Sequence, residues 1–238
     1  MLKILRSYYT IFSLLYRPQI RYTTCMLISP YKAILFDFDE TLVEAMNVKW
    51  KQHQAAAKQF YNHELTEETI RQYWGMPFEP MIELFYDHKD TVENMKNNYH
   101  SLDHKYPKYP FADTIPVLTY LQNHSYWTGI ITSMTKESII KDMKECAMPY
   151  EKLNLIQGSM DSSFHKPDPR VFNTALSLLE KENILPSQTL YVGDDLRDMK
   201  AAKGAGIDFI ALPNGLTSKE EFLIHKTHCI NSLSDLIR

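Results

Sequence analysis

The chain has 238 residues, 44% hydrophobic and 23% charged, with a formal net charge of −3. That much apolar content with so little net charge excludes an intrinsically disordered chain. The near-neutral balance argues against a protein built to hold nucleic acid, and no apolar run reaches the roughly 18–20 residues a membrane-spanning helix needs. Seven glycines and no internal repeat exclude collagen-like and solenoid architectures. The three cysteines, Cys25, Cys146 and Cys229, are odd in number and far apart. They suggest free thiols in a reducing compartment, so the expected location is cytoplasmic.

Residues 1–29 read differently from the rest. They carry Lys3, Arg6, Arg17 and Arg21, and the first acidic residue of the chain is Asp37. An acid-free, Arg-bearing, hydroxyl-rich start resembles an organelle transit peptide, which would place the protein in an organelle such as the mitochondrion. The alternative is an upstream start codon, with Met26 as the working start. Either way, the segment is an N-terminal extension outside the fold argument.

From Tyr31 onward, short apolar runs alternate with helical patterns. The runs are Ala33–Phe36, Gly129–Ile131, Leu153–Ile156, Leu190–Val192 and Phe209–Leu212. Continuous apolar runs of this length suit strands buried on both faces, as in a parallel sheet. Helical spacing appears over 113–124, 136–146 and 170–182, and Gly204 and Gly206 mark a helix end. The alternation predicts an α/β fold with a doubly wound parallel sheet. From about Glu44 to Pro110 no strand signal appears. Helices are expected around Trp50–Tyr61, over 66–74, over 80–86 and over 92–104. The expected organisation is an α/β core of residues 30–44 and 111–238 with a small all-helical insert, 45–110, after the first strand.

Chemistry-bearing residues fall just after the apolar runs. Asp37 and Asp39 follow the first, Thr132 and Ser133 the second, and Asp194, Asp195 and Asp198 the fourth, with Lys166 in a polar loop after the third. In open α/β sheets the ligand crevice lies outside the carboxyl ends of the strands, so these groups converge on one edge. Clustered carboxylates repel unless a cation intervenes, and dense oxygen ligands suit Mg2+ with a substrate phosphate completing its sphere. A lysine adds positive charge for a phosphoryl group. A carboxylate is an established nucleophile toward phosphorus, and a second acid can protonate the leaving group.

Four motifs in order, Asp37-Phe38-Asp39-Glu40-Thr41-Leu42, Ile130-Ile131-Thr132-Ser133, His165-Lys166-Pro167-Asp168-Pro169 and Gly193-Asp194-Asp195-Leu196-Arg197-Asp198, resemble the haloacid dehalogenase superfamily of phosphohydrolases. The insert resembles the C1-type cap of the subgroup containing phosphoglycolate phosphatase and β-phosphoglucomutase. The resemblance implies a Mg2+-dependent phosphatase acting on a small-molecule phosphomonoester through an aspartyl-phosphate. Asp37 would be the nucleophile and Asp39 the acid/base with its backbone carbonyl on the metal. Thr132 would hydrogen-bond a phosphoryl oxygen, with Ser133 beside it. Lys166 would bridge the nucleophile and phosphate charges, Asp194 would ligate Mg2+, and Asp198 would anchor the metal or support Lys166. Thr41 would support the first loop. Gly75, Met76 and Phe78, in the insert loop 74–78, would reach the substrate.

Two positions depart from the pattern. Glu40 stands where the family often has Gly, and is expected to point outward. Asp195 stands where Ser is common, and either caps the following helix or supports the metal. Dehalogenases usually lack the second aspartate and the metal, so Asp39 and Asp194 argue against that chemistry. Phe78 stands where phosphonate hydrolases carry a cap lysine and where mutases often carry arginine. A phosphosugar mutase and a non-catalytic protein retaining the fold are the alternatives. No nucleic-acid partner or stable membrane insertion is expected. The oligomeric state is not legible.

Overall fold

The protein is described here by a computed structural model covering residues 26–238. The transit-peptide reading of residues 1–29 therefore lies outside the described residues, apart from the last four. Those four contribute to the fold: Ile28 is fully buried in the core.

Strand β1 (Ala33–Phe36) is followed by the two-residue β2 (Val43–Glu44) and by four helices, α1 (Met46–Tyr61), α2 (Glu67–Tyr73), α3 (Phe78–Phe85) and α4 (Val92–His100). The chain returns through β3 (Tyr109–Pro110) to α5 (Thr114–Asn123), β4 (Trp127–Ile131), α6 (Lys136–Glu145) and β5 (Leu155–Gln157). It then runs through α7 (Asn173–Lys181), β6 (Thr189–Gly193), α8 (Leu196–Gly204), β7 (Asp208–Ala211), α9 (Lys219–Ile224) and β8 (His228–Cys229). The main sheet has the order β5-β4-β1-β6-β7-β8, every pair parallel. From β1 the chain builds outward to one side and then to the other, so the switch point falls at β1.

The strands form because their side chains are apolar on both faces. Ile34 and Phe36 face one layer of helices with Ile130, Leu190 and Val192. Ala33 and Leu35 face the other with Ile131, Tyr191 and Phe209. This period-two split is what a strand covered on both sides requires. Helix starts are set by hydroxyls: Thr66, Thr91 and Thr135 each accept a backbone N–H from the first turn that follows. The third helix of the insert begins at Phe78, ahead of the expected Pro80. Proline is tolerated there because first-turn N–H groups have no intrahelical partner.

The insert has a core of its own, built around Trp50, Ile70, Ile82, Phe85, Met95 and Tyr99. Its two chain connections to the sheet pair with each other as an antiparallel ribbon, Val43 opposite Pro110 and Glu44 opposite Tyr109. This ribbon and β8 are strands that the sequence reading did not expect.

Candidate active site

Parallel register puts Phe36 beside Ile130 of β4 and Val192 of β6. The residues that follow these three strands therefore emerge at one edge. The Asp37 amide donates to the Val192 carbonyl (2.9 Å) and the Thr132 amide to the Gln157 carbonyl (3.2 Å), which fixes both loops at their first residue.

Lys166 organises the centre. Its ammonium donates to Asp37 Oδ1 (2.9 Å), Asp198 Oδ1 (2.6 Å) and the Tyr191 hydroxyl (2.9 Å). The Tyr191 hydroxyl in turn donates to the Ile131 carbonyl (2.8 Å). Burial disfavours the charged ammonium, but the Asp198 and Asp37 carboxylates outweigh it and hold the Lys166 pKa well above its ordinary value. Asp198 is pushed up to about 6 by burial, against the pull of Lys166.

Asp37, Asp194 and Asp198 are all buried, and one carboxylate oxygen from each lies within 4.8 Å of the others. Burial first, then repulsion from Asp198 and Asp37, drives the Asp194 pKa far up. Among the described residues no donor hydrogen-bonds to the Asp194 side chain. A Cβ at Gly215 would fall 1.9 Å from Asp194 Oδ2, so only glycine leaves that carboxylate its place. A buried, all-oxygen cluster with an unpartnered carboxylate fits a hard divalent cation, which would supply the charge compensation that one lysine leaves incomplete.

Asp39 lies at the rim of this centre. Burial raises its pKa, opposed by the Lys108 ammonium that donates to Asp39 Oδ1 at 2.6 Å. Thr132 is buried at the end of β4, where its hydroxyl accepts the Met134 amide (3.4 Å), whereas Ser133 is exposed. Asp195 caps α8 by accepting the Arg197 amide (2.7 Å), and it also pairs with the Arg197 guanidinium. Arg197 reaches the insert as well, donating to the Gly75 carbonyl at 2.6 Å. In the 74–78 loop, then, Gly75 touches the sheet side and Met76 is exposed. Phe78 packs instead against Tyr99 and His100 inside the helical layer.

Glu40 corrects an expectation. It does not point outward: it is 5% exposed and sits at φ +59°. Its Oε1 accepts the amides of Ala45 (2.8 Å) and Met46. The turn after Asp39 needs a left-handed residue, which explains the usual glycine. The added carboxylate is used to satisfy the open N–H groups that begin α1. Thr41 is fully buried, and its hydroxyl has no hydrogen-bond partner, so no side-chain support of the loop is seen.

Tyr191, Lys108, Arg197 and Gly215 were not singled out as site residues from the sequence. Tyr191 reads as one more apolar strand residue, and Lys108 lies unremarked between Pro107 and Pro110. For Tyr191 and Lys108 the polar group, within an apolar run and a proline-bounded linker, was the one signal.

A doubly wound parallel sheet that delivers aspartates and a lysine to its switch point defines an α/β enzyme with a carboxylate–lysine centre. Residues 34–212 match the haloacid dehalogenase-like hydrolases. The chain belongs to that family and is a hydrolase. It is 29% identical over 201 residues to validoxylamine A 7'-phosphate phosphatase of Streptomyces hygroscopicus, covering 76% of this chain and 85% of that protein. It is 22% identical over 212 residues to pyrophosphatase PpaX of Bacillus pumilus, covering 88% and 96%. Its fold matches the crystal structure of a predicted phosphoglycolate phosphatase from Haemophilus somnus with a TM-score of 0.76 at 18% identity, over 88% of this chain and 97% of that one.

Proposed function

We propose that the protein is a Mg2+-dependent phosphatase that hydrolyses a small-molecule phosphomonoester through an aspartyl-phosphate on Asp37. The observation that carries this reading is the Lys166 ammonium held between Asp37 and Asp198, with Asp194 beside them in one buried cluster. Relatives named as a phosphatase and a pyrophosphatase support the same class.

In this reading Mg2+ would be held by Asp37, Asp194 and the Asp39 carbonyl, with Asp198 in support, and would neutralise charge on the phosphoryl oxygens. Lys166 engages Asp37 Oδ1, which leaves the other oxygen to attack phosphorus in line. The ester P–O bond breaks as the Asp37 O–P bond forms. Lys166 and the Thr132 hydroxyl stabilise the transferring group. Asp39 gives its proton to the departing oxygen, then takes one from the water that attacks phosphorus and frees the Asp37 carboxylate. Residues 45–110 act as the cap, which excludes bulk water and contacts the leaving group. The Arg197 bond to Gly75 supports a cap loop seated over the site. The free Cys146 and Cys229 thiols support a cytoplasmic setting.

The test is release of phosphate from p-nitrophenyl phosphate with and without Mg2+, followed by a panel of phosphoglycolate, sugar phosphates, nucleoside monophosphates and pyrophosphate. Asp37→Asn is expected to lose roughly a thousandfold or more. Metal-independent release, or activity surviving that substitution, refutes the reading.

A further inference from the structure

The proposed mechanism leaves one buried cation without a task. Lys108 lies one residue ahead of β3, in the connection that brings the chain back from the helical layer. Its side chain is only 4% exposed, yet its ammonium reaches across to the sheet side. There it donates to Asp39 Oδ1 (2.6 Å) and pairs with Asp142 Oδ2 of α6 (3.1 Å). It sits against Met134 Sδ (3.1 Å) and over the Phe38 ring (5.5 Å).

We propose that Lys108 is a positioning residue for Asp39, tying the orientation of that carboxylate to the seating of the helical layer on the sheet. The inference rests on the reading of Asp39 as the acid/base. A buried ammonium is costly away from its counter-charges, so the two carboxylates fix where it sits. With Oδ1 engaged, the other Asp39 oxygen is the one left for proton transfer. Lys108 adjoins β3, and β3 is held to β2, the strand that leads into the insert. A layer that lifts or tilts carries the ammonium away and frees Asp39 to rotate. Leaving-group protonation and water activation are then confined to the seated state. Lys49 and Asp103, the other charged groups nearby on the insert, pair loosely with each other at 3.6 Å. They offer Asp39 no hydrogen bond.

The experiment is pre-steady-state p-nitrophenyl phosphate hydrolysis by the full chain with Mg2+. Nitrophenolate is a good leaving group and needs little protonation, so formation of the phospho-enzyme should survive loss of Asp39 alignment. Water attack should not. Lys108→Met is expected to give a nitrophenolate burst approaching one per enzyme, followed by turnover slowed roughly 30-fold. Lys108→Arg, which keeps the charge, is expected to recover most of the turnover. Turnover within about twofold of wild type overturns the inference, as does a burst and turnover that fall together without recovery in the arginine variant. Should Lys108→Met fail to fold, Asp142→Asn, which removes the lysine's second anchor, gives the same reading: a burst with slowed turnover supports the inference, and wild-type turnover overturns it. Wild-type activity that survives Asp37→Asn would instead refute the phosphatase reading, and this inference with it.

Discussion

His53 supplies a test of the helical layer that is independent of catalysis. It lies on α1, is 1% exposed, stacks on Tyr99 at a centroid distance of 4.2 Å and meets the Tyr86 hydroxyl at 3.1 Å. Burial, then the nearby charges of Lys49 and His100, lowers its pKa from 6.5 to about 3. The folded protein therefore keeps His53 neutral where the unfolded chain protonates it. Below pH 6.5 the unfolded state binds more protons, so the His53 contribution is complete above that pH and is lost as pH falls toward 3. Between pH 7 and pH 5 the loss integrates to about 2 kcal/mol. That figure depends only on the folded pKa lying below about 4. The assay is urea unfolding of wild type and His53→Gln at both pH values. Every other titrating group cancels in the difference between the two proteins. We expect wild type to lose about 2 kcal/mol more than the variant over this range. Parallel losses would refute the argument that His53 is held neutral.

Other consequences follow from single contacts. Tyr191→Phe removes the acceptor for Lys166 and the donor to the Ile131 carbonyl, so it should cost about 1–3 kcal/mol in urea unfolding and lower kcat. Both quantities unchanged would contradict the Lys166 geometry. Glu40→Ala loses the cap on α1 and keeps the left-handed strain, whereas Glu40→Gly loses the cap and relieves the strain. The glycine variant should be more stable than the alanine variant by about 1 kcal/mol, and the reverse order by urea unfolding would contradict the turn geometry. Gly215→Ala forces the Asp194 carboxylate aside and should weaken Mg2+ binding about tenfold or more by calorimetry, with unchanged affinity as the contrary result.

The sheet was legible because its strands are buried on both faces, so their sequences are continuous apolar runs. β2, β3 and β8 were not, since two residues carry no period and β3 includes a proline. The insert helices were legible from apolar spacing and the lack of any strand signal. At the site, the motif residues show in the sequence because strand ends put them on one edge. Lys108 and Asp39 are 69 positions apart, and nothing in their spacing announces the ion pair. It exists because the return strand pairs with the outgoing one. Glu40 was expected to point outward, but the left-handed turn it occupies directs its carboxylate to the amides of Ala45 and Met46, a pairing that its place in the motif does not announce. Tyr191 was read by its ring, while its hydroxyl supports the lysine.

The central claim is that the Asp37 carboxylate takes the phosphoryl group. Its most direct test is rapid acid quench of the protein turning over a phosphate-radiolabelled ester in Mg2+, followed by peptide mapping. The account predicts label on the peptide containing Asp37, lost in Asp37→Asn. Turnover with no trapped label, or label on a serine, threonine or histidine, would contradict it.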